Sequence, residues 1–279
     1  MPVGAAGLPV QWGRVGKGAR PPPARAPGCR GAWARRAAAH ICAPPCPCDP
    51  PDGAAPISDL PPLPTVFASF PLREGGDAMA RAQALAPERG AGLLAWVRSS
   101  VRAEAAVVLE PELPLAAARL ALLAGANALA DALAAEGPPE IPVQFAWPGI
   151  LLVNGARCGV VRLAAPPGTA EDAVPDWLVL GMEARVTLTL PMEPGEVPDL
   201  TGLAEEGWEG LSVPDLTAGW ARHLMAALDD WQARGPKRLI ERYLARLLDA
   251  SDARRGVDPN TCELVIERDG ATSRRGLTP

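Results

Sequence analysis

Ile141 to Ala165 reads IPVQFAWPGILLVNGARCGVVRLAA, two short apolar runs on either side of Asn154-Gly155. Both residues of an Asn-Gly pair tolerate the positive φ of a type I′ turn, which makes the pair between strand-like runs the strongest short-range hairpin signal. The hairpin is predicted from Ile150 to Leu163. Upstream, Trp147-Pro148-Gly149 sets a bulky ring before a stiff residue and a flexible one, which bends the chain where it enters the sheet. Downstream, Arg157 rides on a strand between small residues, with Gly159 leaving room for close approach to the backbone. An arginine beside a bare patch of strand suggests a site for an anionic ligand.

The chain has 279 residues, enough for one large domain with an appendage or two modest ones, and its 48% apolar share permits a sizeable core. No wholly apolar run reaches the roughly 18 residues of a membrane span, and the first residues lack a signal peptide's hydrophobic centre, so a soluble cytoplasmic protein is expected. Net charge is −5 and unevenly spread: residues 1–57 hold 7 Arg/Lys against 2 Asp, residues 58–279 hold 20 against 30 acids. The acidic bulk argues against a nucleic-acid partner.

Residues 1–57 combine Pro-Pro-Pro at 21–23 with glycines, alanines and scattered arginines, and carry no sustained period. Such composition offers no face to bury, so the segment is expected to be disordered and dispensable for folding. Cys29, Cys42, Cys46 and Cys48 lie there with His40. A structural zinc site needs two separated ligand pairs, and only Cys46-Pro-Cys48 approximates one, so low-complexity composition is the simpler reading. Cys158 and Cys262 are expected to be small buried hydrophobes.

In the folded part, Val66 to Phe70 reads as an edge strand, and Asp77 as the N-cap of a short helix that Pro87 ends. Leu93 to Val97 and Arg102 to Leu109 follow as strands, approached through Glu88-Arg89-Gly90-Ala91-Gly92. Leu115 to Ala135 is the clearest helix, with Leu115, Leu122 and Leu129 on one stripe and Asp131 solvated near its end. Trp177 to Leu190 alternates like a long strand, Glu205-Glu206 is an acidic loop patch, and Ser212 to Asp215 is a capping box. That box opens a helix carrying Leu216, Trp220, Leu224, Ala227 and Trp231 on one face. A second helix follows Gly235-Pro236, and the tail reads as a small β unit. The order predicts an α+β fold with a mixed, largely antiparallel sheet packed against helices, in three parts: residues 1–57, 58–235 and 236–279.

These pieces resemble the catalytic domain of the biotin/lipoate protein ligase superfamily, in the divergent group with a small C-terminal domain, over roughly residues 60–235. Family members have an arginine- and glycine-rich loop ending in tryptophan, and Arg89-Gly90-Ala91-Gly92 with Trp96 stands in that place. They have Lys-Trp-Pro-Asn-Asp before a hairpin, and here Ala146-Trp147-Pro148-Gly149 fills the slot. The family lysine falls on Arg157 if one residue is missing, with Cys158 and Gly159 after it, and Thr201 to Gly207 looks like the Thr-Ser-Leu segment before the penultimate helix.

The resemblance implies a class II synthetase-like fold and a ligase or acyltransferase. Such an enzyme activates biotin, lipoate or an octanoyl group with ATP and Mg²⁺, then passes it to a lysine of a biotinyl or lipoyl carrier domain. On that reading Arg157 is catalytic. Arg89, Gly90, Ala91, Gly92, Trp96, Trp147, Pro148, Gly149, Cys158 and Gly159 then bind substrate or nucleotide. Biotin or lipoate is a substrate, not a resident cofactor. The departures are specific: arginine offers a planar fork in place of a mobile ammonium. Gly149-Ile150 replaces the Asn-Asp pair, so the metal ligands are unknown, with Glu171, Asp172 and Asp176 the nearest candidates. The alternative is a non-catalytic protein of the same fold that binds a small acid, a nucleotide or a carrier domain.

Overall fold

A computed structural model describes residues 59–188, 197 and 199–277. The N-terminal extension with its four cysteines and His40 lies outside these residues, as does the end of the strand predicted to reach Leu190. The described strands are β1 (Ala68–Leu72), β2 (Leu93–Val97), β3 (Arg102–Leu109), β4 (Val143–Ala146), β5 (Ile150–Val153), β6 (Ala156–Ala164), β7 (Leu178–Arg185), β8 (Arg254–Val257), β9 (Leu264–Arg268) and β10 (Ala271–Arg275). The helices are α1 (Ala78–Arg89), α2 (Leu115–Ala118), α3 (Ala121–Glu136), α4 (Val213–Arg234) and α5 (Lys237–Arg246).

The first seven strands form one sheet in the order β1-β2-β3-β7-β6-β5-β4, and the last three form a second, antiparallel sheet. Only β1 and β2 pair in parallel; every other pairing is antiparallel. The fold is therefore α+β with a mixed, largely antiparallel sheet. The Asn154-Gly155 turn joins β5 to β6 with φ of 51° and 84°, the left-handed pair a type I′ turn requires. Asp269-Gly270 does the same between β9 and β10, at 52° and 79°.

Local signals explain most helix ends. The Asp77 side chain accepts from the Ala80 N–H, and the Ser212 hydroxyl accepts from the Asp215 N–H, a cap that contributes about 1 kcal/mol. Pro87 does not end α1, which continues to Arg89 and is closed by Gly90 at φ 69°, whose N–H donates to Ala86 O. The predicted helix at 115–135 is two, α2 and α3, joined through Arg119 and Leu120. Nor is it a stripe: every residue from Ala121 to Ala130 is buried. Leu115–Glu136 is long and apolar enough to cross a membrane by length and composition, yet 78% of its most apolar window is buried inside the protein.

Two clusters divide the sheet's faces. Leu94 and Trp96 of β2, alternate residues of β3 and β7, and Phe145 and Leu151 join α3, α4 and α5 in the main core. The opposite face of β2, β3 and β7 carries Ala95, Val97, Ala106, Val108 and Val179 under the alanines of α1. Buried donors find carbonyls inside the main core: Trp220 Nε1 donates to Gly125 O at 3.1 Å, and Asn127 Nδ2 to Leu239 O at 3.0 Å. Asp131 is not solvated; it accepts from Arg242 and Arg246 and so fastens α3 to α5.

The core runs across residue 235, since Leu239, Tyr243, Leu247, Val257, Cys262, Leu264 and Ile266 all belong to it. Helix α5 and the segment after it are tied back to the sheet. Leu248 N donates to Phe145 O at 2.8 Å, Trp147 N to Asp249 Oδ2 at 2.7 Å, and the Tyr243 hydroxyl to Pro148 O at 2.6 Å. Glu205 and Glu206 are likewise structural: Glu205 accepts from Leu188 N, and Glu206 from Thr201 Oγ1 and Asn154 Nδ2.

Candidate functional site

Helix α1 packs over β2, β3 and β7, which leaves the same face of β5 and β6 without a helix among the described residues. On this open face the strands present Arg102 and Glu104 from β3, Glu183 and Arg185 from β7, and Arg162 from β6. The register sets Arg102 directly opposite Arg185 and Glu104 directly opposite Glu183. Like charges facing each other across an antiparallel pair are destabilising, so two such rows mark a place where the sheet is not optimised for stability. Two ion pairs relieve the repulsion: Arg102 to Glu104 along β3 at 2.7 Å, and Arg162 to Glu183 diagonally across β6 and β7 at 3.0 Å. Glu104 is 5% exposed and also accepts from the Ala78 N–H at 2.7 Å; burial pushes its carboxyl above the usual range.

Two cavities flank the Arg162–Glu183 pair. One, of about 400 Å³, is mostly apolar and is walled by Leu122, Pro148, Gly149, Ile150, Val160 and Leu163, with Arg119 and Arg162 beside them and Leu277 from the chain's end. Gly149 is required there, because a Cβ would lie 2.4 Å from Val161 O. The other, of about 330 Å³, is polar and includes Glu74, Ser99, Arg102, Glu183, Arg185 and Thr187. Arg162 belongs to the first cavity and Glu183 to the second, so their ion pair is the partition.

The site residues expected from the sequence fall in three separate places. Pro148 and Gly149 wall the apolar cavity, and Trp147 braces them, edge-on to Tyr243 and donating through Nε1 to Gly276 O at 2.8 Å. Arg157 is exposed, and what it supplies is its backbone: its N–H donates to Asp199 O, and its carbonyl accepts from Thr201 N and Arg185 Nη1. Cys158 is buried at an irregularity in the β5–β6 register, and burial pushes its thiol up to about 12; the Cys262 thiol is raised to about 12 for the same reason. A Cβ on Gly159 would meet Glu183 O at 2.0 Å, so that glycine permits the close strand approach.

The loop at Arg89 to Gly92 does not reach Arg157. Gly92 N bonds Val108 O, at the level of Val179 and Ala164, whereas Arg157 lies seven residues back along β6, about 20 Å away along the strands. Its amides also have internal partners: Gly90 N donates to Ala86 O, Ala91 N to Glu110 Oε1 and Gly92 N to Val108 O. In this structure the Gly90, Ala91 and Gly92 amides therefore point to the protein's own acceptors. Trp96 is 1% exposed, in the core, with its Nε1 donating to Ser69 Oγ.

Sequence reasoning missed Arg102, Glu104, Arg119, Arg162, Glu183 and Arg185. One signal was available: in β3, RAEAAVVL, the charges at 102 and 104 alternate within a strand that is otherwise apolar.

Among the described residues, no three His, Cys, Asp or Glu side chains converge as a metal cage. Glu171 is held bidentately by Arg119, at 2.6 and 2.7 Å.

The model of the biotin/lipoate A/B protein ligase family matches residues 60–245. A biotin protein ligase-like protein of unknown function from Silicibacter sp. TM1040 is similar at 30% identity, over 78% of this chain and 97% of that one, with a TM-score of 0.68. Biotin protein ligase from Aquifex aeolicus, solved with biotin and ATP, is 13% identical, over 75% of this chain and 95% of that one, at a TM-score of 0.57. A variant of the same enzyme bound to biotin gives 13% and 0.57, over 77% and 97%. These two likenesses concern the fold alone. No curated protein was found to match the chain. With most of its length matched by the family model and a 30% identical relative covered almost end to end, the chain belongs to the biotin/lipoate A/B protein ligase family.

Proposed function

We propose that the protein is an acyl-handling ligase or transferase that takes biotin, lipoate or a related acid and passes the acyl group to a lysine of a carrier domain. The observation that carries this reading is the apolar cavity of about 400 Å³ between β5, β6 and the start of α3, with Arg119 and Arg162 beside its apolar walls. A cavity of that size, mostly apolar with a few polar groups, suits a small ligand with an aliphatic or ring body and one acid group. The body would lie against Ile150, Val160 and Leu163, and its carboxylate would face the guanidinium of Arg162.

Arg162 is 52% exposed and its Glu183 partner 28%, so their pair contributes little stability and turns readily towards a ligand. A bidentate fork on the carboxylate would neutralise it and fix its plane. ATP and Mg²⁺ would supply activation; this chain's own contribution is to orient the acid and exclude water from the cavity.

A second reading, a non-catalytic acid-binding protein, is favoured by the Arg89 to Gly92 loop, whose amides are all bonded internally. Calorimetry with biotin, lipoate and octanoate, each with and without Mg·ATP, tests the first reading when paired with mass spectrometry of an added biotinyl or lipoyl carrier domain. Acid binding and a mass gain on the carrier lysine are expected, both lost in Ile150→Trp, which fills the cavity. Binding without transfer would select the second reading, and no binding of any of the three acids would overturn both.

A further inference from the structure

We propose that the polar cavity beyond the Arg162–Glu183 partition is a second ligand site, and that it takes a small zwitterion, an α-amino acid. Two guanidiniums, Arg102 and Arg185, and two carboxylates, Glu74 and Glu183, line one space of about 330 Å³ with the hydroxyls of Ser99 and Thr187. The pairing of these charges decides what fits. Glu183 is bonded to Arg162, and Arg102 is bonded to Glu104 and donates to Gly76 O at 3.2 Å. Among the described residues, Arg185 and Glu74 are left without an ion-pair partner.

Arg185 is half-buried and donates one bond, to the Arg157 carbonyl at 3.2 Å, with no carboxylate partner among the described residues. Glu74 accepts one bond, from the Ser99 hydroxyl at 3.3 Å. A guanidinium has five N–H donors and an ionised carboxylate about four acceptor sites, so most of the capacity of both groups is unused.

A cation and an anion that share a cavity without pairing to each other match a ligand that carries both signs. A simple anion would satisfy Arg185 and be repelled by Glu74 and Glu183; a simple amine would meet the reverse. The cross-strand rows repeat the pattern, since Arg102 faces Arg185 while Glu104 faces Glu183 two residues further along the strand. The ligand's carboxylate is assigned to Arg185 with Arg102 behind it, and its ammonium to Glu74 with Glu183 beyond. Ser99, 3% exposed, holds Glu74 in place and receives the Val101 N–H on its own oxygen.

The site shares the partition but no ligand with the proposed acyl pocket, so it is tested without any acid or nucleotide. The full chain is titrated with glycine and L-glutamate, and in parallel with acetate and methylammonium, each of which carries half of the glycine charge pattern. Saturable binding of the amino acids in the millimolar range or tighter is expected, at least about tenfold tighter than either half-ligand. Arg185→Gln should weaken glycine binding about 10- to 100-fold, the loss of a charge-assisted bond, with Arg185→Lys recovering part of it. Glu74→Gln lies at an exposed position and leaves the fold untouched even if Arg185 variants do not; it should cost about 3- to 10-fold. Ile150→Trp, which blocks the acyl pocket, should leave glycine binding unchanged. Acetate binding as tightly as glycine would overturn the assignment in favour of a simple oxyanion site. Absence of saturable binding, or indifference to both Arg185→Gln and Glu74→Gln, would remove the site altogether.

Discussion

Replacing Tyr243 by phenylalanine isolates the contact that holds the rim of the acyl pocket. The Tyr243 side chain is fully buried, and its hydroxyl donates to Pro148 O at 2.6 Å. Burial raises the phenol's pKa, so the group is a neutral donor at any working pH. Phenylalanine keeps the ring, stacked 5.6 Å from Phe145 and edge-on 5.9 Å from Trp147, so packing is preserved and only one hydrogen bond goes.

What remains is a half-buried carbonyl without its donor, which costs about 1–3 kcal/mol. For a fold of this size each kcal/mol corresponds to roughly 2–4 °C, so Tm should fall by about 2–12 °C, with a lower urea midpoint at unchanged slope. Asp249→Asn probes the neighbouring anchor, since Asp249 accepts from Trp147 N and pairs with Arg275. Because the two residues hold adjacent backbone positions, Pro148 O and Trp147 N, the double variant should be non-additive by about 0.5 kcal/mol or more. Pro148 and Gly149 line the cavity, so acid affinity should fall as well. A Tm within about 1 °C of wild type, or strict additivity, would refute the claim that α5 and the segment after it brace Trp147-Pro148.

Gly149→Ala sets a Cβ 2.4 Å from a backbone oxygen that cannot yield, and should cost about 1–3 kcal/mol by urea unfolding; Gly155→Ala meets nothing within 4 Å and should cost only its left-handed strain, about 1 kcal/mol. Glu104 gives a pH signature. Burial raises its folded pKa above 4.5, so the folded state holds the proton more tightly than the unfolded chain. Its contribution to stability is therefore greatest below about pH 4.5 and is lost as pH rises through the folded value, and Glu104→Gln should flatten that part of the stability–pH curve. An unchanged curve in the variant would assign the dependence to another group.

Elements governed by neighbours in sequence were legible. Asn154-Gly155, the Asp77 cap, the Ser212 cap and the strands at 93–97 and 102–109 each depend on a few adjacent residues. The open face was not, because it is made by pairing. Arg162 and Glu183 are 21 residues apart in the chain and become partners only through the β6–β7 register. Reading the Arg89 to Gly92 loop and Arg157 as one site failed for a related reason. Both segments border strands, and only the order of the sheet decides that they leave it at opposite ends. Arg157 did fall beside the charged cluster, but through its carbonyl, which residue type cannot announce.

Helix α3 has no wet side, and this gives the protein a vulnerable interval while it is being made. Its cover is supplied mainly by α4 and α5, whose last residues come about 100 positions after Glu136. At ribosomal speeds of roughly 5–20 residues per second, a greasy cylinder of Ala and Leu stays uncovered for about 5–20 s. During that time α2 and α3 together, Leu115–Glu136, have the length and apolarity of a membrane-crossing segment. Timely arrival of the C-terminal helices, more than any contact within the sheet, then decides whether the nascent chain folds or is captured by a chaperone, another chain or a lipid surface.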